Sequence, residues 1–184
     1  MIKLDAATVL LQWATGGLFF LWFTTRSHGI GRGYGWLIRG TYAANAVGAV
    51  ASAYAIGWVP VRDVSAGVVA VVALGTLRRT DVRWDLVAPL VGLVGVIVGA
   101  LDAASGTADS VVSLLRVLVG TVFLGAVSDA MLLGHWYLVQ PGLPRRILNE
   151  LVVVVRWILP VEIVVMLLPT GMFSVLGGAI DDGW

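Results

Sequence analysis

Apolar residues along this chain gather into long blocks separated by short polar turns. Blocks lie at 8–25, 36–57, 64–77, 86–101, 109–139 and 147–168. The first reads TVLLQWATGGLFFLWFTT and the second WLIRGTYAANAVGAVASAYAIG. A helix that spans a bilayer needs about 20 apolar residues at about 1.5 Å each. Five blocks approach or exceed that length. The third, 64–77, spans only if residues 58–63 extend it or the local bilayer thins. The pattern predicts one all-α membrane domain over 1–184, a bundle of about six transmembrane helices.

The turns carry a charge bias that supports this parse. Arg26, Arg32 and Arg39 follow the first block, Arg78, Arg79 and Arg83 the third, and Arg145 and Arg146 the fifth. The other turns hold Lys3 and Arg62, with Asp5, Asp63, Asp102 and Asp109. Alternating sides put the first eight cations together, which is the positive-inside distribution. The expected orientation has the N-terminus and C-terminus outside and the arginine turns in the cytoplasm, where they face anionic lipid headgroups.

Composition narrows the class further. Of 184 residues, 59% are hydrophobic and 12% charged. Soluble domains run at about half apolar and about a quarter charged. A net charge of +1 gives no reason to expect a nucleic-acid partner. With no cysteine, disulfides, thiolate metal sites and cysteine nucleophiles are excluded. The first block lacks a basic lead-in and a small-residue cleavage site, so it reads as a retained helix rather than a signal peptide. Eight tryptophans suit aromatic belts at the two interfaces. Gly95 and Gly99, and Ala44, Gly48 and Ser52, offer small faces for close helix packing. No internal repeat appears, so an inverted-repeat transporter core is not expected.

Ionisable residues within spans are costly and face protein, water or a partner. The interior of the fifth block carries Arg116 and Asp129, and the sixth carries Glu150, Arg156 and Glu162. Counted from the outer end, Arg116 and Glu162 lie about 10 Å deep, Arg156 about 20 Å, and Asp129 and Glu150 about 28 Å. The expected couples are Arg116 with Glu162, and Arg156 with Asp129 or Glu150. Pro160 should kink the last helix and free a carbonyl. These charges staple helices or subunits together, line a proton or ion path, or hold an anion such as a lipid phosphate.

The only histidines, His28 and His135, both fall on the cytoplasmic side in this parse. Together they suit axial ligation of haem b or hydrogen bonding and proton exchange with a quinone. The bland alternative is an interfacial role for each: His28 past a helix C-terminus, His135 beside Trp136 and Tyr137. No metal site is expected. The glycines of HGIGRGYG follow a membrane helix rather than a strand, so they form no dinucleotide loop. No catalytic residue set appears: there is no serine triad, HExxH or soluble carboxylate pair.

The segments GHWYLVQPGLPRR and RSHGIGRGYG resemble a group of uncharacterised polytopic membrane proteins of high-GC, actinobacterial-type bacteria. The resemblance implies a multi-pass protein of the bacterial plasma membrane, set beside respiratory complexes. Proteins of that group are longer. The stretch after Pro169 is too short to span, and reads either as an interfacial strip or as the lead-in to further helices. The leading expectation for function is a non-catalytic subunit of a larger membrane complex, in contact with lipids and other membrane subunits. A haem or quinone protein using His28 and His135, and a proton-coupled carrier or channel using Asp129, Glu150, Arg156 and Glu162, are the alternatives.

Overall fold

The computed structural model describes residues 5–26, 29–79, 81–104 and 106–168. Most of these residues are helical, and none of them is in a strand. The order is α1 (Ala6–Thr25), α2 (Arg32–Ile56), α3 (Pro60–Gly75), a 3₁₀ turn (Val82–Leu86), α4 (Val87–Asp102), α5 (Thr107–Val139) and α6 (Arg145–Leu167). Three stretches are long and apolar enough to cross a membrane: Ala6–Thr25, Arg83–Asp102 and Thr107–Val139. The six-helix architecture follows the apolar blocks closely.

The differences lie at the ends. α2 starts at Arg32 rather than 36, and α3 at Pro60 rather than 64. Polar residues continue these helices wherever the bundle satisfies them. Asp5 caps α1, its Oδ1 accepting the Thr8 N–H at 2.6 Å. Asp63 reaches back from the start of α3 to accept the Val59 N–H at 2.6 Å, which satisfies the N-cap backbone. Pro60 opens α3, where a missing N–H costs nothing.

Helices consecutive in the chain alternate in direction. Along α1 and α4, Thr8 meets Gly99, Leu11 meets Gly95 and Thr15 meets Gly92, so the two run antiparallel. The same logic makes α1 and α5 parallel, because Gln12 lies at Val117 and Gly16 at Gly125. α1 is the hub, buried against α2, α3, α4 and α5. Its closest approach is to α5. A Cβ on Gly16 would sit 1.9 Å from the Thr121 carbonyl oxygen, and one on Gly125 would sit 2.3 Å from the Gly16 backbone.

Gly95 and Gly99 do serve packing. A Cβ at the first would meet Ser65 and Leu11, and one at the second Arg62 and Thr8. The small face expected on α2 is met in part: Gly48 packs against Leu10 and Ser52 is half-buried, but Ala44 is exposed, and the buried face is that of Ala46, Ala49 and Ala53. Small residues lay on two sides of α2, and the position of Tyr42, wedged against Gly17, decides which side turns inward. α6 packs along α5 and buries only Ile147, Leu151 and Val165.

Candidate functional site

Up–down alternation carries Arg26, Arg32, Arg39, Arg78, Arg79, Arg83, Arg145 and Arg146 to one end of the bundle, where α1, α3 and α5 finish. They do not form a uniform belt. Arg39 is turned inward and buried, paired with Asp85 at the start of the helical stretch that becomes α4. Asp85 Oδ1 accepts from Arg39 Nη2 at 2.5 Å and Nε at 3.2 Å. Arg39 is therefore not the freely exposed headgroup cation expected from its place in the turn: its Nε and Nη2 are held by a buried carboxylate, a stronger partner than water. Gly35, one turn earlier, makes this possible, since a Cβ there would lie 2.8 Å from Arg39 Nη1.

A cavity of about 470 Å³ opens beside this pair, between the start of α2 and the end of α3. Arg32, Arg39, Arg78 and Arg79 line it, and Asp85 is the one acid on its wall. Four cations against one carboxylate leave the wall with a formal charge of +3. Arg79 is oriented by Trp84, its guanidinium carbon 4.7 Å from the ring centroid.

Arg26 and Arg146 have another role. Glu150 accepts from Arg146 Nε at 2.9 Å and from Arg26 Nη2 at 3.4 Å, and Arg26 also lies 4.0 Å from the Phe23 ring centroid. This corrects the expected Glu150–Arg156 couple: Glu150 sits one turn inside α6 and is claimed by the cations at that end.

Asp129 is fully buried, and its partner is not Arg156. Tyr42 Oη donates to Asp129 Oδ1 at 2.6 Å and lies 2.8 Å from Ser128 Oγ, which also accepts from Trp13 Nε1 at 3.0 Å. Asp129 Oδ2 has no hydrogen-bond partner. Asp129 points toward α1 and α2, whereas Arg156 is exposed on α6, so helix rotation separates two residues that depth had matched. Arg116 and Glu162 are brought close across α5 and α6 without closing into an ion pair. Arg116 Nη2 reaches Met166 Sδ at 3.6 Å, toward the end of the bundle opposite the arginine turns. Glu162 instead lies over Gly120, beside the buried Gln12 amide, whose Nε2 donates to the Val117 carbonyl at 2.9 Å.

His28 lies outside the described residues, as does the stretch 169–184. His135 is exposed and donates Nδ1–H to the Met131 carbonyl at 2.8 Å. The rest of its motif is structural. Gln140 Oε1 accepts from Gly31 N at 3.1 Å and Trp136 Nε1 at 3.2 Å, and Tyr137 Oη donates to the Pro144 carbonyl at 2.7 Å. The motif thus anchors the start of α2 and the turn into α6. Among the described residues, no three His, Asp or Glu side chains are placed to hold a metal.

Two ionic groups escaped sequence reasoning. Arg62 is 1% exposed and binds Asp63, Asp5, Thr8 and the Gly57 carbonyl. Asp85, one residue ahead of the fourth apolar block, is the other. The available signal was shared: each is a charge within a few residues of an apolar block, where an unpaired group would be costly. Comparison with family models, with curated proteins and with solved structures finds no match for this chain.

Proposed function

We propose that this chain is a non-catalytic, multi-pass subunit of a larger membrane assembly, with six spans, both termini outside and the arginine-rich end in the cytoplasm. The setting implied by the sequence resemblance is a respiratory assembly of a bacterial plasma membrane. One observation carries the subunit reading. Arg156 lies at the midpoint of α6, eleven residues from either end, about 16 Å from each. It is exposed and makes no ion pair among the described residues. Pro160 supplies no N–H to the Arg156 carbonyl, so the same level of the helix presents a bare acceptor beside the cation.

Such a spot against hydrocarbon costs about 3 kcal/mol for the cation alone. A neighbouring helix that carries an acid at the same depth removes that cost. A second copy does not: across a two-fold axis normal to the membrane, Arg156 faces Arg156. The partner that best fits is a different subunit with a buried Asp or Glu at that depth. The rest of α6 suits this contact, since Val152, Val153, Trp157, Ile163 and Val164 are all exposed.

The test is purification in mild detergent of the wild type, Arg156→Lys and Arg156→Gln. A companion with a mid-span carboxylate should stay with the first two and leave the third, which remains folded and monodisperse. Reversing the pair, Arg156→Glu with Arg at the companion's acid, should restore the complex. A companion retained equally by Arg156→Gln would overturn the reading, as would a wild type that is solitary under every mild condition.

A further inference from the structure

The cavity between α2 and α3 has no part in a subunit contact through α6. We propose that it is a binding site for the phosphate of an anionic lipid headgroup. The inference rests on the membrane reading above but not on the partner of α6.

Three features of the cavity converge on a phosphate. Its wall is cationic by arginine alone, and a guanidinium offers paired donors that match two oxygens of one phosphate. Its deepest cation is held in place: Arg39 is 7% exposed, fixed by Asp85 through Nε and Nη2, with Nη1 outside that pair. A cation already immobilised loses little entropy when a ligand arrives. The backbone adds to the field. Gly31 and Arg32, at the start of α2, also line the cavity. The Gly31 N–H is taken by Gln140 and the Tyr34 N–H by the Gly31 carbonyl, while the Gly31 cap has no side chain to occupy the remaining N–H groups, so the positive end of the helix dipole adds to the field at this end of α2.

The volume and location favour a lipid over a free ion. About 470 Å³ is in the range of small-molecule sites and larger than one phosphate requires. Trp36 lines the cavity and is 55% exposed, and Leu37 beside it is also exposed, so the rim continues into an apolar helix face along which acyl chains can lie. Basic pockets between helices at a membrane surface have the geometry that headgroup recognition uses. A bound headgroup would tie the start of α2 to the end of α3.

The experiment uses the purified full chain in neutral detergent, titrated calorimetrically with dioctanoyl phosphatidylglycerol, dioctanoyl phosphatidylcholine and inorganic phosphate. Arg32 and Arg78 are exposed rim residues, so Arg32→Gln with Arg78→Gln removes two cavity cations without emptying the core. Arg83→Gln with Arg145→Gln removes the same charge from the same end outside the cavity. Phosphatidylglycerol should bind at least about tenfold more tightly than phosphatidylcholine, and the cavity double should lose about tenfold while the control double stays within about twofold. Inorganic phosphate that competes at the cavity with equal or higher affinity keeps the phosphate site and assigns it to a soluble ligand. Equal loss in both doubles, or equal binding of the two lipids, would overturn the proposal. Because the chain is isolated, failure of the α6 partner test leaves this result standing.

Discussion

At the residue scale, the bundle depends on what each polar side chain is given as a partner. Arg39 and Asp85 are buried together, so removing one strands the other. Arg39→Gln should lower stability by about 3–5 kcal/mol, whereas replacing both, Arg39→Met with Asp85→Leu, should recover most of that loss. Thermal unfolding in detergent measures both. Asp129 gives the opposite expectation. Its one hydrogen bond comes from Tyr42, and no cation depends on it. Asp129→Asn keeps an acceptor at Oδ1 and should stay within about 1 kcal/mol of wild type, whereas Tyr42→Phe strips a buried acceptor and should cost about 1–3 kcal/mol. A large loss in Asp129→Asn would indicate an ionic role that the hydrogen bonds do not show. Glycine follows space in the same way. A Cβ at Gly17 would fall 1.9 Å from the Tyr42 ring, so Gly17→Ala should cost about 1–3 kcal/mol. At Gly40 nothing lies within 4 Å, and Gly40→Ala in mid-helix should be neutral or stabilising by about 0.5–1 kcal/mol.

At the element scale, the existence of each helix was legible in its apolar block, and its rotation was not. Hydrophobic blocks in a bundle of this kind are apolar on all sides, so they carry no stripe that says which face turns inward. That is why Asp129 and Arg156 could be matched by depth and yet point apart. It is also why the buried alanines of α2 lie beside the small-residue face read from spacing. α6 behaves differently from the other helices. It is attached along one side, with Trp157 71% exposed, and its buried contacts with α5 sit near the two ends. Cross-linking between α6 and companion subunits should therefore be far more efficient from position 157 than from position 151, which is fully buried. Equal yields from the two positions would mean that α6 is covered from within its own chain.

At the scale of the whole molecule, alternation of direction does the sorting. The absence of cysteine gives a clean background for labelling. Gly106→Cys and Gly142→Cys place thiols at opposite ends of the bundle, with open space around each. In intact cells, a membrane-impermeant maleimide should reach position 106 and not position 142. Reaction at both would overturn the six-span topology, and with it the lipid setting of the basic cavity.

The sequence by itself determined the number and extent of the helices and the end to which the arginines go. Those properties follow from segment length, apolar content and the parity of turns, all of which are additive along a chain. The three-dimensional packing decided which charges became partners. Arg39 reached Asp85 across 46 positions because Gly35 cleared its path, and Arg62 gathered Asp5 and Asp63 because α1 and α3 begin at the same end. Pairing depends on helix rotation, and rotation is set by where small residues let backbones touch, a relation between helices that no single segment contains.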